Sequence, residues 1–206
     1  MRRSCLVAAL MVALAAPACA ASASAALDEL KKSFTVDGKP IPPQVFGDFG
    51  DSDMADSGSI RVTIDLLAAI GSNLYFGDIQ TGQTGWVAQK KVTAGPDSLT
   101  EEMDYKFIGT TKNGLLVVVA SYSGGGSGTF YSLHLLDAAL ARAFDNDGKL
   151  YDRLNLTVLR TMALGDRWDG TVKIAGNTVT IETSQAGPAD TSGKTTTQHF
   201  EAARPN

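Results

Sequence analysis

The stretch "DYKFIGTTKNGLLVVVASYS", from Asp104 to Ser123, predicts two antiparallel strands joined by a tight turn. The dipeptide Asn113-Gly114 lies between them, and it suits a type I′ turn because both central residues of that turn need positive φ. Residues 115–120 are apolar on both faces of the second strand. We therefore expect this strand to lie in the middle of a sheet and to be covered from both sides.

A glycine-rich run, "SYSGGGSGTFY" at residues 121–131, follows the second strand. A phosphate-binding loop that begins at Gly124 requires a glycine and a lysine where the chain has Thr129 and Phe130. Such loops also open a helix, whereas "TFYSLHLL" has strand-like composition. The run is therefore predicted to be a flexible loop between two central strands. On the next strand we expect His134 to be a hydrogen-bonded structural residue.

The segment "DGTVKIAGNTVTIE", residues 169–182, predicts a β-hairpin with Gly176 and Asn177 as its turn. One register matches apolar with apolar and polar with polar side chains, and a slip by one residue breaks it. In that register the facing pairs are Ile174 with Val179, Val172 with Ile181, and Lys173 with Thr180. A last strand, "KTTTQHFEA", is predicted to follow.

Helical spacing of apolar residues occurs in two short stretches, 27–34 and 137–144. About nine other stretches are strand candidates, because they have alternating or continuous apolar patterns. The predicted fold class is mainly β: a single antiparallel β domain, a sandwich or open barrel, with one or two short helices. We expect this domain to span residues 27–202 and a disordered tail to occupy residues 203–206.

The first twenty residues have the pattern of a signal peptide. Arg2 and Arg3 precede a short apolar run, and small residues at Ala18 and Ala20 form a cleavage site. The predicted product is exported, periplasmic or secreted, with a flexible leader at residues 21–26. Lipid attachment at Cys19 is the alternative that its Ala-Pro-Ala context leaves open.

The charge and the cysteine content exclude some functions and structural features of the mature domain. The whole chain has a formal net charge of −4, and removal of the signal takes away two arginines, so the domain is acidic. Nucleic-acid binding is therefore not expected, because it requires clustered cations. Cys5 and Cys19 both lie in the signal, so we expect no disulfide in the mature domain, and no transmembrane segment after cleavage.

Four acidic residues crowd the stretch "GDFGDSDMADSG": Asp48, Asp51, Asp53 and Asp56. Carboxylates close together on a loop are typical calcium ligands. The spacing matches no known calcium loop, and aspartate also favours turns. Calcium is thus the one cofactor that the sequence leaves open.

The segment "LGDRWDG", residues 164–170, provides the remaining candidates for chemistry. Asp166 and Asp169 are candidate catalytic carboxylates together with His134, and Trp168 and Arg167 are candidate ligand-binding residues, since an aromatic ring stacks on sugar faces. The competing interpretation is a structural turn in which Arg167 pairs with an acid and Trp168 covers the core.

No complete catalytic signature occurs in the chain. The leading hypothesis is therefore a binding or structural module of the bacterial envelope, with an envelope protein or a saccharide as its partner. The alternatives are a periplasmic hydrolase that uses the carboxylates above and a calcium-stabilised extracellular module.

Overall fold

The computed structural model describes residues 23–47, 49, 62–71, 77–92, 99–184 and 195–204. Two α-helices, a short 3₁₀ helix and twelve strands make up these parts of the chain. The helical elements are α1 (Ala23–Ser33), the 3₁₀ helix (Pro43–Phe46) and α2 (Leu66–Gly71). The strands are β1 (Thr35–Val36), β2 (Lys39–Pro40), β3 (Thr63–Asp65), β4 (Gln80–Thr81), β5 (Trp86–Val92), β6 (Thr100–Thr110), β7 (Leu116–Ser123), β8 (Phe130–Phe144), β9 (Leu150–Asp166), β10 (Gly170–Ala175), β11 (Thr178–Ser184) and β12 (Thr195–Glu201).

Seven strands form one antiparallel sheet in the order β3-β9-β8-β7-β6-β5-β4, and β10, β11 and β12 form a second, three-stranded sheet. Strands β1 and β2 pair separately. The predicted mainly β class with two short helices is therefore confirmed. No helix among the described residues is long and apolar enough to cross a membrane.

Strand β7 lies at the centre of the large sheet and separates two apolar cores. Its residues Leu116, Val118 and Ala120 point into a core that α1 and the 3₁₀ helix cover. Val117 and Val119 point the other way, into a core covered by the three-stranded sheet. All of these side chains are almost fully buried. The continuous apolar run thus corresponds to a strand covered on both faces, as expected.

Helix α1 packs on the face of the large sheet to which Leu116 and Val118 point, because the apolar residues of the helix recur on one side. Ala26 and Leu30 are buried, and Phe34, just past the helix, stacks on Phe107 of β6 with ring centroids 5.2 Å apart. The helix begins at Ala23, four residues before the predicted start at Leu27.

The terminal hairpin has the predicted register. Ile174 faces Val179, Val172 faces Ile181 and Lys173 faces Thr180. Gly176 has φ +63°, while Asn177 is not among the residues with positive φ. That pattern is typical of a type II′ turn. Strand β12 then pairs with β11, as expected.

Two local predictions were wrong. Residues 137–144 are not helical but continue β8, which pairs with β9 along its whole length. The turn after β6 is not type I′, because only Gly114 has positive φ (+85°). The N–H of Gly114 instead binds the carbonyl of Thr111, and Thr111 pairs with Leu115 around a three-residue loop, as in a type I turn with a bulge.

Several predicted features lie outside the described residues: the signal peptide with Cys19, residues 21 and 22 of the leader, and the aspartates Asp48, Asp51, Asp53 and Asp56. Residues 23–26, which we predicted to be flexible leader, form the start of α1 instead. The end of the described chain contacts the domain. Arg204, which we assigned to the tail, forms an ion pair with Asp137 at 3.0 Å and donates to the carbonyl of Asn113.

Candidate functional site

A pocket of about 650 Å³ lies on the helix-covered face of the large sheet, next to the end of the 3₁₀ helix. Strands β6 to β9 form its floor. Phe130 and Tyr122, which are 61% and 39% exposed, belong to its solvent-facing side. The lining residues are Phe46, Gly47, Met103, Ala120, Tyr122, Phe130, Tyr131, Ser132, His134, Thr161, Ala163 and Gly165.

Strand periodicity brings the polar residues of the pocket together. Ser132 and His134 are two apart on β8, so their side chains lie on the same face. The register of the sheet places Thr161 of β9 opposite His134, and Ala163 opposite Ser132. Ala120 of β7 lies opposite Ser132 on the other side. Small residues thus flank Ser132, and they leave the space that forms the pocket.

His134 is hydrogen-bonded through both ring nitrogens. Its Nε2 lies 2.8 Å from Oγ of Ser132, and its Nδ1 lies 3.1 Å from Oγ1 of Thr161. The rings of Phe46 and Phe49 pack on the imidazole with centroids 5.3 and 5.9 Å away. Only 2% of the His134 surface is exposed. We call Ser132, His134 and Thr161 the polar triad.

Burial lowers the pKa of His134 to about 4, because the charged imidazolium would lose its hydration in this apolar setting. The imidazole is therefore neutral at pH 7. Among the described residues, the lining includes no Asp, Glu, Lys or Arg. This described part of the pocket thus presents apolar surface and a neutral polar triad.

Asp166 and Arg167, two of the predicted site residues, hold the glycine-rich loop in place. Oδ1 of Asp166 accepts a hydrogen bond from the N–H of Thr129 at 2.8 Å. The guanidinium of Arg167 donates to the carbonyl of Ser127 at 2.6 Å, and Arg167 itself has φ +50°. Nε of Arg167 lies 3.9 Å from Oδ2 of Asp166. These contacts connect the end of β9 to the loop between β7 and β8.

Trp168 lies on the opposite face of the sheet from His134. Its Nε1 donates to Oγ1 of Thr183 at 2.9 Å, and its ring packs against Tyr131 with centroids 6.1 Å apart. It covers the core under the three-stranded sheet. Burial, and then the charges of Asp104 and Asp169, raise the pKa of the Tyr131 phenol. The structure therefore separates Trp168 from the polar triad.

Among the described carboxyls, Asp104 is the one whose pKa is raised, and the sequence did not indicate it as a site residue. Burial, and next the charge of Glu102, raise its pKa to about 6. Oγ of Ser121 approaches its Oδ2 at 3.4 Å, while Oδ1 is buried without a hydrogen bond among the described residues. Asp104 and Ser121 lie on the face of the sheet away from the pocket.

No group of three His, Cys, Asp or Glu side chains within the described ranges is arranged to hold a metal ion. The four candidate calcium ligands, Asp48, Asp51, Asp53 and Asp56, lie outside those ranges. In the turn between β8 and β9 ("FDNDGK", residues 144–149), the carboxylate of Asp145 accepts hydrogen bonds from the N–H groups of Asp147 and Lys149.

No protein-family model matches the chain, and comparison with curated proteins and with solved structures found no similar protein.

Proposed function

We propose that the protein is an exported binding module of the bacterial envelope that holds an uncharged, mainly apolar small molecule in the pocket beside His134. The observation that carries this proposal is the pocket itself. Its volume of about 650 Å³ lies within the usual range for small-molecule sites, which are mostly apolar with a few placed polar groups. The polar triad supplies such groups.

The uncharged character of the described lining indicates the ligand class. An ionised ligand would leave water for a pocket in which no described lining residue carries a countercharge, and that transfer is strongly unfavourable. An apolar ligand gains about 25 cal/mol for each Å² of apolar surface that it and the lining remove from water. Of the partners expected from the sequence, a saccharide or an envelope protein, neither fits this lining as well as a small apolar molecule.

The hydrolase alternative has less support from the geometry. It requires Asp166 or Asp169 to act on a substrate, yet Oδ1 of Asp166 already accepts a backbone N–H of the glycine-rich loop. Hydrolytic turnover that disappears in Asp166→Ala or Asp169→Ala would favour the hydrolase over the binding module. The calcium-stabilised module predicts a melting temperature that rises with millimolar Ca²⁺ and falls with chelator.

The envelope location rests on the amino-terminal sequence. Arg2, Arg3, the apolar run and the small residues before Ala21 support export by the general secretory route. Expression of the full chain in a Gram-negative host, followed by fractionation and amino-terminal sequencing, tests this. Recovery of a periplasmic chain that begins at Ala21 is expected. An unprocessed cytoplasmic chain would contradict export, and a lipid-modified chain that begins at Cys19 would favour the lipoprotein route.

Binding of the neutral fluorophore N-phenyl-1-naphthylamine tests the pocket. Its emission rises in apolar sites, so we expect saturable enhancement with one site per chain. Ala163 is an exposed pocket residue, and Ala163→Trp should fill the space and weaken binding at least tenfold. Ala139→Trp is the matched control, because Ala139 is also an exposed strand alanine but does not line the pocket. Equal binding by both variants, or no binding by the wild type, would contradict the proposal.

A further inference from the structure

The polar triad has a fixed number of polar hydrogens. At neutral pH each hydroxyl carries one and the uncharged imidazole carries one, which makes three. Two of them are used in the hydrogen bonds of His134 to Ser132 and to Thr161. Neither hydroxyl has another hydrogen bond among the described residues. One hydroxyl hydrogen is therefore left over, and the tautomer of His134 decides which hydroxyl carries it.

The burial of the two hydroxyls differs, and this difference selects the tautomer. Both residues line the pocket, but Thr161 is only 6% exposed, whereas Ser132 is half-buried and more open to the pocket. If Nδ1 carried the imidazole hydrogen, Thr161 would accept it and keep its own O–H unpaired in a buried position, which is unfavourable. If Nε2 carries it, Thr161 donates to Nδ1 and the spare O–H belongs to Ser132, where the pocket supplies a partner.

We infer that His134 is held as the Nε2–H tautomer, that Ser132 presents a free O–H donor to the pocket, and that the ligand is an uncharged carbonyl compound whose oxygen accepts it. This inference rests on the proposed ligand pocket and names the chemistry of its occupant. A carboxylate also accepts hydrogen bonds, but the described lining residues include no cation to offset its charge. A ketone, ester or amide with an apolar body satisfies both the donor and the uncharged lining.

The same tautomer determines what Ser132 does. A serine nucleophile needs an adjacent base that takes its proton, and here Nε2 of His134 already carries a hydrogen. Nδ1 is occupied by the hydroxyl of Thr161, where serine hydrolases have a carboxylate. Ser132 is therefore a binding residue, and bound esters are expected to stay intact.

Three naphthalene derivatives of matched shape test the inference: 2-acetylnaphthalene, 2-ethylnaphthalene and 2-naphthoate. They present a carbonyl, a hydrocarbon and a carboxylate at the same position. We expect the wild type at pH 7 to bind the ketone about fivefold more tightly than the hydrocarbon, since one neutral hydrogen bond separates them. The carboxylate should bind most weakly.

Variants at Ser132 assign the preference to its hydroxyl. Ser132→Ala removes the hydroxyl but uncovers the Nε2–H of His134 as a replacement donor, so the ratio of ketone to hydrocarbon affinity should fall only in part there and should reach about one in Ser132→Val. Ser132→Val serves as a second variant, because its larger side chain keeps Nε2 of His134 covered. Ser127→Ala in the exposed glycine-rich loop is the control and should keep the wild-type ratio.

The outcomes separate this inference from the proposed function. Equal affinities for ketone and hydrocarbon in the wild type, or a preference that survives in both Ser132 variants, would overturn the inference while the pocket stands as a binding site. Cleavage of a bound naphthyl ester that depends on Ser132 would overturn the assigned tautomer. Failure of the ketone and the hydrocarbon alike to bind would contradict the proposed function itself.

Discussion

Oγ1 of Thr161 lies 3.1 Å from Nδ1 of His134, directly across the β8–β9 pairing. The contact is set by the register of the sheet, since the two residues face each other on neighbouring strands. It gives a buried imidazole a partner that would be missing if β9 slipped by one residue.

Thr161→Val removes that partner with little change in shape. Nδ1 of His134 is then buried without a hydrogen bond, and we expect the free energy of unfolding to fall by about 1–3 kcal/mol. Chemical denaturation measures the loss. Thr157→Val is the control on the same strand, because among the described residues the Thr157 hydroxyl bonds to that of Thr63 on the surface and to no other group. A loss no larger than that of the control would contradict the structural role of this hydrogen bond.

The stability of the protein should depend on pH through His134. The imidazole has its usual pKa of about 6.5 in the unfolded chain and a pKa of about 4 in the folded protein. Between these values the unfolded chain binds the extra proton, so stability falls as the pH falls. From pH 7 to pH 4 the wild type should lose about 3 kcal/mol more than His134→Gln. Parallel pH profiles of the two proteins would contradict the buried neutral histidine.

Asp104 should change the stability of the protein with pH in the direction opposite to His134, over nearly the same pH range. Burial raises its pKa to about 6 from an ordinary 3.8, so the folded protein holds a proton that the unfolded chain releases. Its contribution to stability is present at low pH and is lost as the pH rises towards 6. The side chain is partly exposed, so solvent screening makes the effect smaller than that of His134.

Asp104→Asn isolates this contribution in the same denaturation experiments. We expect the variant to lose more stability than the wild type on acidification from pH 6 to pH 4, since the opposing effect of Asp104 is gone. A wild type that loses as much as the variant would show that the Asp104 carboxyl titrates normally.

Gly170, where β10 begins, has no room for a side chain. A Cβ at this position would overlap with the carbonyl oxygen of Glu182 and with the ring of Trp168. Gly170→Ala should therefore destabilise the protein by about 2 kcal/mol or more. Gly126→Ala is the matched control, because nothing lies within 4 Å of its Cβ position. Equal melting temperatures of the two variants would contradict the close packing of Trp168 over β10.

The terminal hairpin was predictable because local chemistry alone specifies it. Only one register puts Ile174 opposite Val179 and Lys173 opposite Thr180, and the structure has that register. Residues 137–144 were predicted as a helix because their local pattern fits two structures. Leu140 and Phe144 are four apart, a spacing that places side chains on one face of a helix and equally on one face of a strand. The long pairing with β9 decided in favour of the strand.

The pocket could not be predicted from the sequence. Ser132 and His134 are near neighbours on one strand, but Thr161 is 27 residues further on and Phe46 comes from the opposite layer. Which residues meet depends on the register of β8 with β9 and on how the 3₁₀ helix covers the sheet. Sequence patterns specify neither. Asp166 and Trp168, by contrast, stood out as a cluster in sequence but lie in structural contacts at the end of β9.

The most direct test of the ligand pocket is nuclear magnetic resonance of the isotope-labelled mature protein with N-phenyl-1-naphthylamine. We expect intermolecular nuclear Overhauser effects from the naphthyl ring to Phe130, Ala163 and Met103, all of which line the pocket. Contacts confined to Trp86 and Trp168 on the other face of the sheet would contradict the proposed pocket.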